Sequence, residues 1–329
     1  MGELQEVKLN VCAVIVGRIG DTVLTTPILE ALRARHRHLT VMAHPKRIEV
    51  LQNLDFIDDL QPLTKRSAVF KSRLSKNQYD LALCWGADDA LFAFCQRSAK
   101  KTIAFAQPNF LSKQNGKSIL VPVPASTSMH ALKERALLLE EAGIDLSNRR
   151  LRYSVTPLER EQADHWLRQE GLLQAGPLIG IQAFSFHTKS HRDWPLKNFN
   201  ALVQLISQQF PSAKFIFFGD ESSRELLNDS PLKNNPAVNL AAGKLTLRES
   251  AAVMSALDLY IGVDTGPTHI AGAFDVPMVA LYHPLYPGNF LKPLGHPNCI
   301  VVQAPQEMNQ LTVGSVYDAV LKALYVESN

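Results

Sequence analysis

The sequence predicts an α/β protein made of two doubly wound domains, each a parallel sheet covered by helices on both faces. Three observations carry that prediction. The 329 residues amount to about two domains of the usual size of roughly 150 residues. Short apolar runs alternate with segments of helical spacing in the first half, and the alternation restarts after residue 175; buried strands separated by helices make a parallel sheet. Finally, 46% hydrophobic and 20% charged residues with a mean hydropathy of -0.05 supply apolar surface for two cores and argue against wholesale disorder.

In the first half, Leu9–Val16 reads as a buried strand, Asp21–His36 as a helix, and Leu39–Ala43, Asp80–Trp85 and Thr102–Phe105 as further strands. Thr156-Pro157-Leu158-Glu159 then offers an N-cap, a proline at the first helical position and a glutamate at the third, so a helix runs to about Glu170 and stops at Gly171. The domain boundary is set at this helix, with residues 1–160 in one domain and 161–329 in the other. The second half has strands at Leu178–Gln182, Lys214–Phe218, Val238–Ala241, Leu257–Gly262, Met278–Tyr282 and Ile300–Val302. Val313–Tyr325 closes the chain with helical spacing, which leaves open whether it packs on the first or the second domain. Two such domains face each other across a central cleft and bind ligands at the carboxyl ends of their strands, so the loops after strands are where chemistry is expected.

The longest apolar runs, Val11–Val16 and the Phe-Ile-Phe-Phe within Lys214–Phe218, fall short of the ~20 residues of a membrane-spanning helix. Met1–Asn10 carries Glu3 and Glu6 where a signal peptide has a basic start, so a cytoplasmic chain is expected. Cys12, Cys84, Cys95 and Cys299 are widely spaced without any CxxC and are expected to be buried, reduced thiols. The net charge of +3 is uneven. Residues 1–150 carry 21 Lys and Arg against 15 Asp and Glu, and residues 151–329 carry 13 against 16, so the first half favours an anionic partner.

After the first strand comes Gly17-Arg18-Ile19-Gly20-Asp21-Thr22-Val23-Leu24-Thr25-Thr26-Pro27. It is not G-x-G-x-x-G, and no G-x-x-x-x-G-K-[ST] occurs, so neither a dinucleotide fingerprint nor a P-loop is present. The glycines let the backbone turn tightly. Asp21 stands at a helix start, where two readings stay open: a plain N-cap, or a general base toward a hydroxyl.

Leu257–Gly272 runs from a strand through the polar turn Asp264-Thr265-Gly266-Pro267-Thr268-His269 into a helix. Free amides over Thr265–His269, the positive end of the helix dipole and two hydroxyls suit a phosphate or pyrophosphate; the alternative is a mere strand-to-helix connection. A third loop, Ser185–Pro195, carries His187, Lys189, His191 and Arg192 ahead of Trp194-Pro195. Its cations suit an anion. A metal is disfavoured, because His187 and His191 have no third ligand at suitable spacing.

Gly20–Pro27, Arg192-Asp193-Trp194-Pro195 and Asp264–Ala271, in this order and each after a strand, together resemble the ADP-heptose:lipopolysaccharide heptosyltransferases. The resemblance spans nearly the whole chain and includes Leu245–Ala252, in which Thr246 and Glu249 form a capping box. It implies a GT-B fold of two Rossmann-like domains, an acceptor domain in front and a nucleotide-sugar domain behind. It also implies inverting transfer with no bound metal or other cofactor, the ADP-sugar being a co-substrate. The absence of any Asp-x-Asp from the sequence agrees with metal-free transfer.

By the same resemblance Asp21 is the catalytic base. The donor diphosphate is held by Asp264, Thr265, Gly266, Thr268 and His269 with a cation. Where relatives carry a lysine two residues before Trp-Pro, this chain has Arg192 in a longer loop, and Lys189 shares the role. The adenosine-contacting acidic position matches Glu221.

Lys65–Lys76 holds Lys65, Arg66, Lys71, Arg73 and Lys76 without an acid, and Arg97, Lys100 and Lys101 follow. A solvated helix face is one reading. The other is contact with an anionic lipopolysaccharide core acceptor, through Arg18, Lys65, Arg66, Lys71, Arg73, Lys100 and Lys101, or with the inner face of the cytoplasmic membrane at ~1 kcal/mol per cation. Nucleic acid fits poorly, since aromatics do not interleave with the cations. Three rival functions stand beside heptosyl transfer. One is a GT-B enzyme using another nucleotide sugar. Another is a nucleotide-dependent oxidoreductase, against which the missing G-x-G-x-x-G argues. The last is a catalytically silent binding module, against which Asp21 argues.

Overall fold

The structure, a computed structural model, describes residues 9–86, 88–106, 119–125, 128–173, 175–185 and 187–325. The chain forms two compact units, Met1–Ser154 and Val155–Asn329.

The first unit runs β1 (Asn10–Ile15), α1 (Ile19–Arg35), β2 (His38–Ala43), β3 (Asp59–Pro62), α2 (Lys65–Leu74), β4 (Tyr79–Cys84), α3 (Asp89–Ser98), β5 (Ala99–Phe105), β6 (Ile119–Val123) and α4 (Ala131–Glu141). Its six strands lie in the order β3-β2-β1-β4-β5-β6, all parallel. Chain direction around the sheet reverses between β1 and β4. A reversal of this kind opens a crevice at the carboxyl ends of the two strands.

β1, β2, β4 and β5 lie where the sequence predicts strands, because their buried residues form apolar runs. β3 and β6, the two edges, are not among the predicted strands. Asp59-Leu60-Gln61-Pro62 is only partly buried, and both edge strands contain a proline, at Pro62 and Pro122, which lacks a ladder donor. Three of the cysteines, Cys12, Cys84 and Cys95, are free and buried in this core, where burial pushes the Cys12 thiol far above its ordinary value. The fourth, Cys299, is free and half-buried.

The second unit runs α5 (Pro157–Gln169), β7 (Leu178–Gln182), α6 (Leu196–Gln209), β8 (Lys214–Phe218), α7 (Glu221–Asn228), β9 (Val238–Leu240), α8 (Leu247–Met254), β10 (Leu259–Val263), α9 (Gly266–Ala271), β11 (Met278–Tyr282), α10 (Gly288–Leu291), β12 (Cys299–Gln303) and α11 (Val313–Tyr325). The order is β12-β11-β10-β7-β8-β9, again parallel, with the reversal between β10 and β7.

Helix α5 starts as its sequence requires: Thr156 Oγ1 accepts the Glu159 N–H at 3.2 Å and Glu159 Oε2 accepts the Thr156 N–H at 2.8 Å. The division of the chain falls ahead of this helix rather than at residue 160, and α5 goes whole with the second unit, packed on α8. Arg248 of α8 clamps the Glu159 carboxylate, with Nη2 to Oε2 at 2.7 Å. Helix α11 buries Val316, Ala319, Val320 and Ala323 against α6 and the β10–β12 side of the same sheet, so it belongs to the second unit. Among the described residues no helix is long and apolar enough to cross a membrane.

Candidate functional site

The turn after β1 leads into α1, whose first turn carries Asp21 at the reversal point of the first sheet. Helix α1 begins at Ile19 with Arg18 in the N-cap position, so Asp21 is the third helical residue, and the N-cap reading is corrected. Its Oδ2 accepts the Arg18 N–H at 3.1 Å, and its Oδ1 is bound by the Arg135 guanidinium of α4. The carboxylate is thus oriented at both oxygens while its side chain stays 42% exposed. Gly17 makes room for it, because a Cβ there would stand 2.9 Å from the Asp21 Cβ. Arg47 Nη1 holds the Gly17 carbonyl at 2.9 Å.

Arg135 is itself fixed, donating from Nη1 to the Ala131 carbonyl at 3.1 Å, while Trp85 Nε1 donates to the Arg135 carbonyl at 3.0 Å. Nothing in the local sequence marks this residue. Its helix carries no motif, and Asp21 is 114 residues away along the chain.

Thr25-Thr26-Pro27 belongs to α1 itself and makes a local brace. Pro27 lies inside α1 and cannot donate to the Val23 carbonyl. The Thr26 hydroxyl donates to that oxygen instead, at 2.7 Å, and accepts the Arg152 N–H at 2.9 Å.

At the reversal point of the second sheet, the loops after β7 and β10 bring together Arg192, Asp264 and His269. Asp264 is buried; its Oδ2 accepts from Arg192 Nη1 at 2.5 Å and its Oδ1 lies 3.7 Å from His269 Nε2. The Asp264 carboxylate is thus engaged by the Arg192 guanidinium, which it holds in place. Arg192 also lies over the Tyr286 ring, its guanidinium carbon 3.7 Å from the centroid, and Tyr286 and His283 pack around His191. The Nε of Arg192 is buried with no hydrogen-bond partner among the described residues.

The loop that delivers Arg192 is pinned on both sides. Asp193 Oδ1 accepts the Ser185 N–H at 2.7 Å, and buried Trp194 donates to the Leu311 carbonyl at 2.9 Å and stacks edge-on against Phe199. Burial pushes the Asp193 carboxyl above its ordinary value. The side chain of Lys189 lies outside the described residues.

Thr268 departs from expectation. Its buried hydroxyl donates to the Val263 carbonyl at 2.6 Å and lies 3.1 Å from the Tyr260 hydroxyl, so it braces the turn. The amides of Thr268 and His269 donate to the Thr265 carbonyl, and Pro267 has none. That leaves the amides of Thr265 and Gly266 for an anion. Glu221 opens α7 after β8, is 66% exposed and pairs with Arg224 at 3.2 Å.

The basic residues separate into groups. Lys65 pairs with Asp88 at 2.8 Å, and Lys71 donates to the Pro62 carbonyl at 3.3 Å. Arg18, Arg66 and Arg73 are exposed. Lys100 and Lys101 sit at the amino end of β5, Lys100 paired with Asp80 at 2.7 Å. In a parallel sheet that end is opposite the Asp21 loop, so neither lysine stands beside Asp21. Among the described residues no group of three or more His, Cys, Asp or Glu side chains is arranged to hold a metal ion.

The family model of glycosyltransferase family 9 (heptosyltransferase) matches residues 69–320. The chain belongs to this family. It is 22% identical over 279 residues to lipopolysaccharide heptosyltransferase 3 of Escherichia coli, with 80% of each chain covered. Its fold is that of the family 9 glycosyltransferase of Veillonella parvula, at a TM-score of 0.84 and 23% identity over 98% of this chain and 99% of that one. It is also that of the E. coli ADP-heptose lipopolysaccharide heptosyltransferase II, at a TM-score of 0.75 and 16% identity over 97% and 100%. The expected GT-B architecture is therefore present, and membership of family 9 displaces the oxidoreductase and binding-module alternatives.

Proposed function

We propose that this family 9 chain transfers a heptose from ADP-heptose to an anionic inner-core acceptor of lipopolysaccharide, at the inner face of the cytoplasmic membrane, without a bound metal or cofactor. The observation that carries this reading is Asp21: a carboxylate oriented at both oxygens yet open to solvent on its edge. Asp21 takes the proton of the acceptor hydroxyl as that oxygen attacks the anomeric carbon. The bond from that carbon to the diphosphate breaks, and ADP leaves with the electron pair. Arg192, aimed by Asp264 and Tyr286, and the amides of Thr265 and Gly266 stabilise the charge that develops on the leaving group. The E. coli relative of the same fold, heptosyltransferase II, is an ADP-heptose lipopolysaccharide heptosyltransferase, which supports ADP-heptose as the donor.

Thermal melts in the presence of ADP, UDP and GDP, with and without EDTA, test the donor half. ADP at 100 times its dissociation constant should add ~2.7 kcal/mol of stability, and EDTA should change neither this nor sugar transfer. Stabilisation by UDP or GDP alone would replace the donor. A magnesium requirement would overturn the metal-free step.

A further inference from the structure

Helix α2 is built against the usual rule for a surface helix. Its buried stripe is Ala68 and Ser72, packed toward α3, whereas Val69, Phe70 and Leu74 point outward at 48%, 64% and 72% exposure. Single exposed apolar residues need no explanation. Here three of the eight strongly exposed large apolar side chains among the described residues lie on one ten-residue helix. Positions 66, 69, 70, 73 and 74 follow i, i+3, i+4 spacing and therefore share one face. On that face Arg66 and Arg73 flank the apolar residues, exposed Lys76 follows, and no acid occurs between residues 65 and 76. Lys65 and Lys71, the two cations with partners inside the protein, turn toward Asp88 and Pro62.

We infer that the outer face of α2 docks on an anionic bilayer, with Val69, Phe70 and Leu74 inserted below the headgroups and Arg66, Arg73 and Lys76 on the lipid phosphates. The charge pattern selects this occupant. A second copy of the chain packed α2 against α2 would set Arg66 and Arg73 against their own counterparts with no acid on either helix to pair them. An anionic membrane accepts both features at once, because apolar insertion and basic contacts reinforce each other. The inference rests on the proposed function only in that the acceptor is membrane-held. It adds which surface of the protein meets the lipid.

The test is co-sedimentation of the full chain with vesicles of phosphatidylcholine alone or of equal parts phosphatidylcholine and phosphatidylglycerol. Wild type should partition at least about tenfold better to the anionic vesicles, since each basic residue near an anionic leaflet contributes about fivefold. The triple variant V69S/F70S/L74S should lose at least about tenfold in partition at low and high salt alike, with an unchanged melting temperature. R66Q/R73Q should lose binding mainly at low salt, where charges are poorly screened. A tryptophan in F70W should shift its emission to the blue on anionic vesicles.

Triple-variant binding equal to wild type would overturn the inference, as would vesicle binding that ignores lipid charge. So would a loss of concentration-dependent self-association, in place of vesicle binding, in the triple variant. Heptosyl transfer to a deacylated, water-soluble acceptor keeps the two proposals apart. Transfer by a chain whose vesicle binding ignores α2 overturns this inference alone, and α2-dependent vesicle binding without any transfer overturns the proposed function alone.

Discussion

Arg135 grips Asp21 from 114 residues further along the chain, and with the Arg18 N–H it leaves the carboxylate a single orientation. A base must meet its proton within hydrogen-bond reach, and misplacement by about 1 Å costs on the order of 10²-fold in rate. Arg135→Gln should therefore lower kcat on the order of 10²-fold, with little change in KM for the nucleotide sugar or in stabilisation by ADP. Arg135→Lys, which keeps the charge but not the fork, should recover part of the loss. A normal kcat for Arg135→Gln would show that Asp21 needs no such holder.

Tyr286 should act through Arg192. A cation over an aromatic face is worth about 0.5–2 kcal/mol, so Tyr286→Leu should weaken ADP binding by roughly 2- to 30-fold in titration calorimetry. Tyr286→Phe keeps the ring and should bind ADP as wild type does. Equal losses in the two variants would point to the hydroxyl instead.

Thr268 separates bracing from binding. Thr268→Val leaves the Val263 carbonyl and the Tyr260 hydroxyl without their buried partner, a cost of about 1–3 kcal/mol in stability. The melting temperature should fall while the ADP dissociation constant stays put. The reverse pattern would restore this hydroxyl to the phosphate site.

The difference between what was legible and what was not lies in the range of the interactions. The capping boxes at Thr156–Glu159 and Thr246–Glu249 span three residues, and both form as read. Asp21 was legible as a candidate base, but its place three residues into α1 was not, because Arg18 in extended backbone takes the cap position. Arg135, Tyr286 and the Arg192–Asp264 pair depend on which strands neighbour which in the sheet. No local pattern encodes that. The inward turn of Thr268 depends on Tyr260 within the preceding strand, and the positions of Lys100 and Lys101 depend on where β5 begins.

Glu159 makes the second unit acid-sensitive. The Arg248 guanidinium bound to its carboxylate, with the Thr156 bonds, holds its pKa at about 2 against the ordinary 4.5, although burial opposes this. The unfolded chain therefore takes up the proton first, so the stabilisation is complete above about pH 4.5 and is lost as pH falls toward about 2. Glu159→Gln should melt below wild type at neutral pH. The gap should close as pH falls through that window, and a gap independent of pH would assign the effect to packing.

Sugar transfer by Asp21→Asn is the most direct measurement of the central claim, that Asp21 is the base of a glycosyl transfer. Asparagine keeps the size of the side chain and an oxygen for the Arg18 N–H, but it cannot take a proton. The variant should fold and be stabilised by ADP like wild type, and release ADP from ADP-heptose in the presence of acceptor at least about a hundredfold more slowly. Turnover near the wild-type rate would contradict the claim and leave Asp21 as a residue that only braces the start of α1.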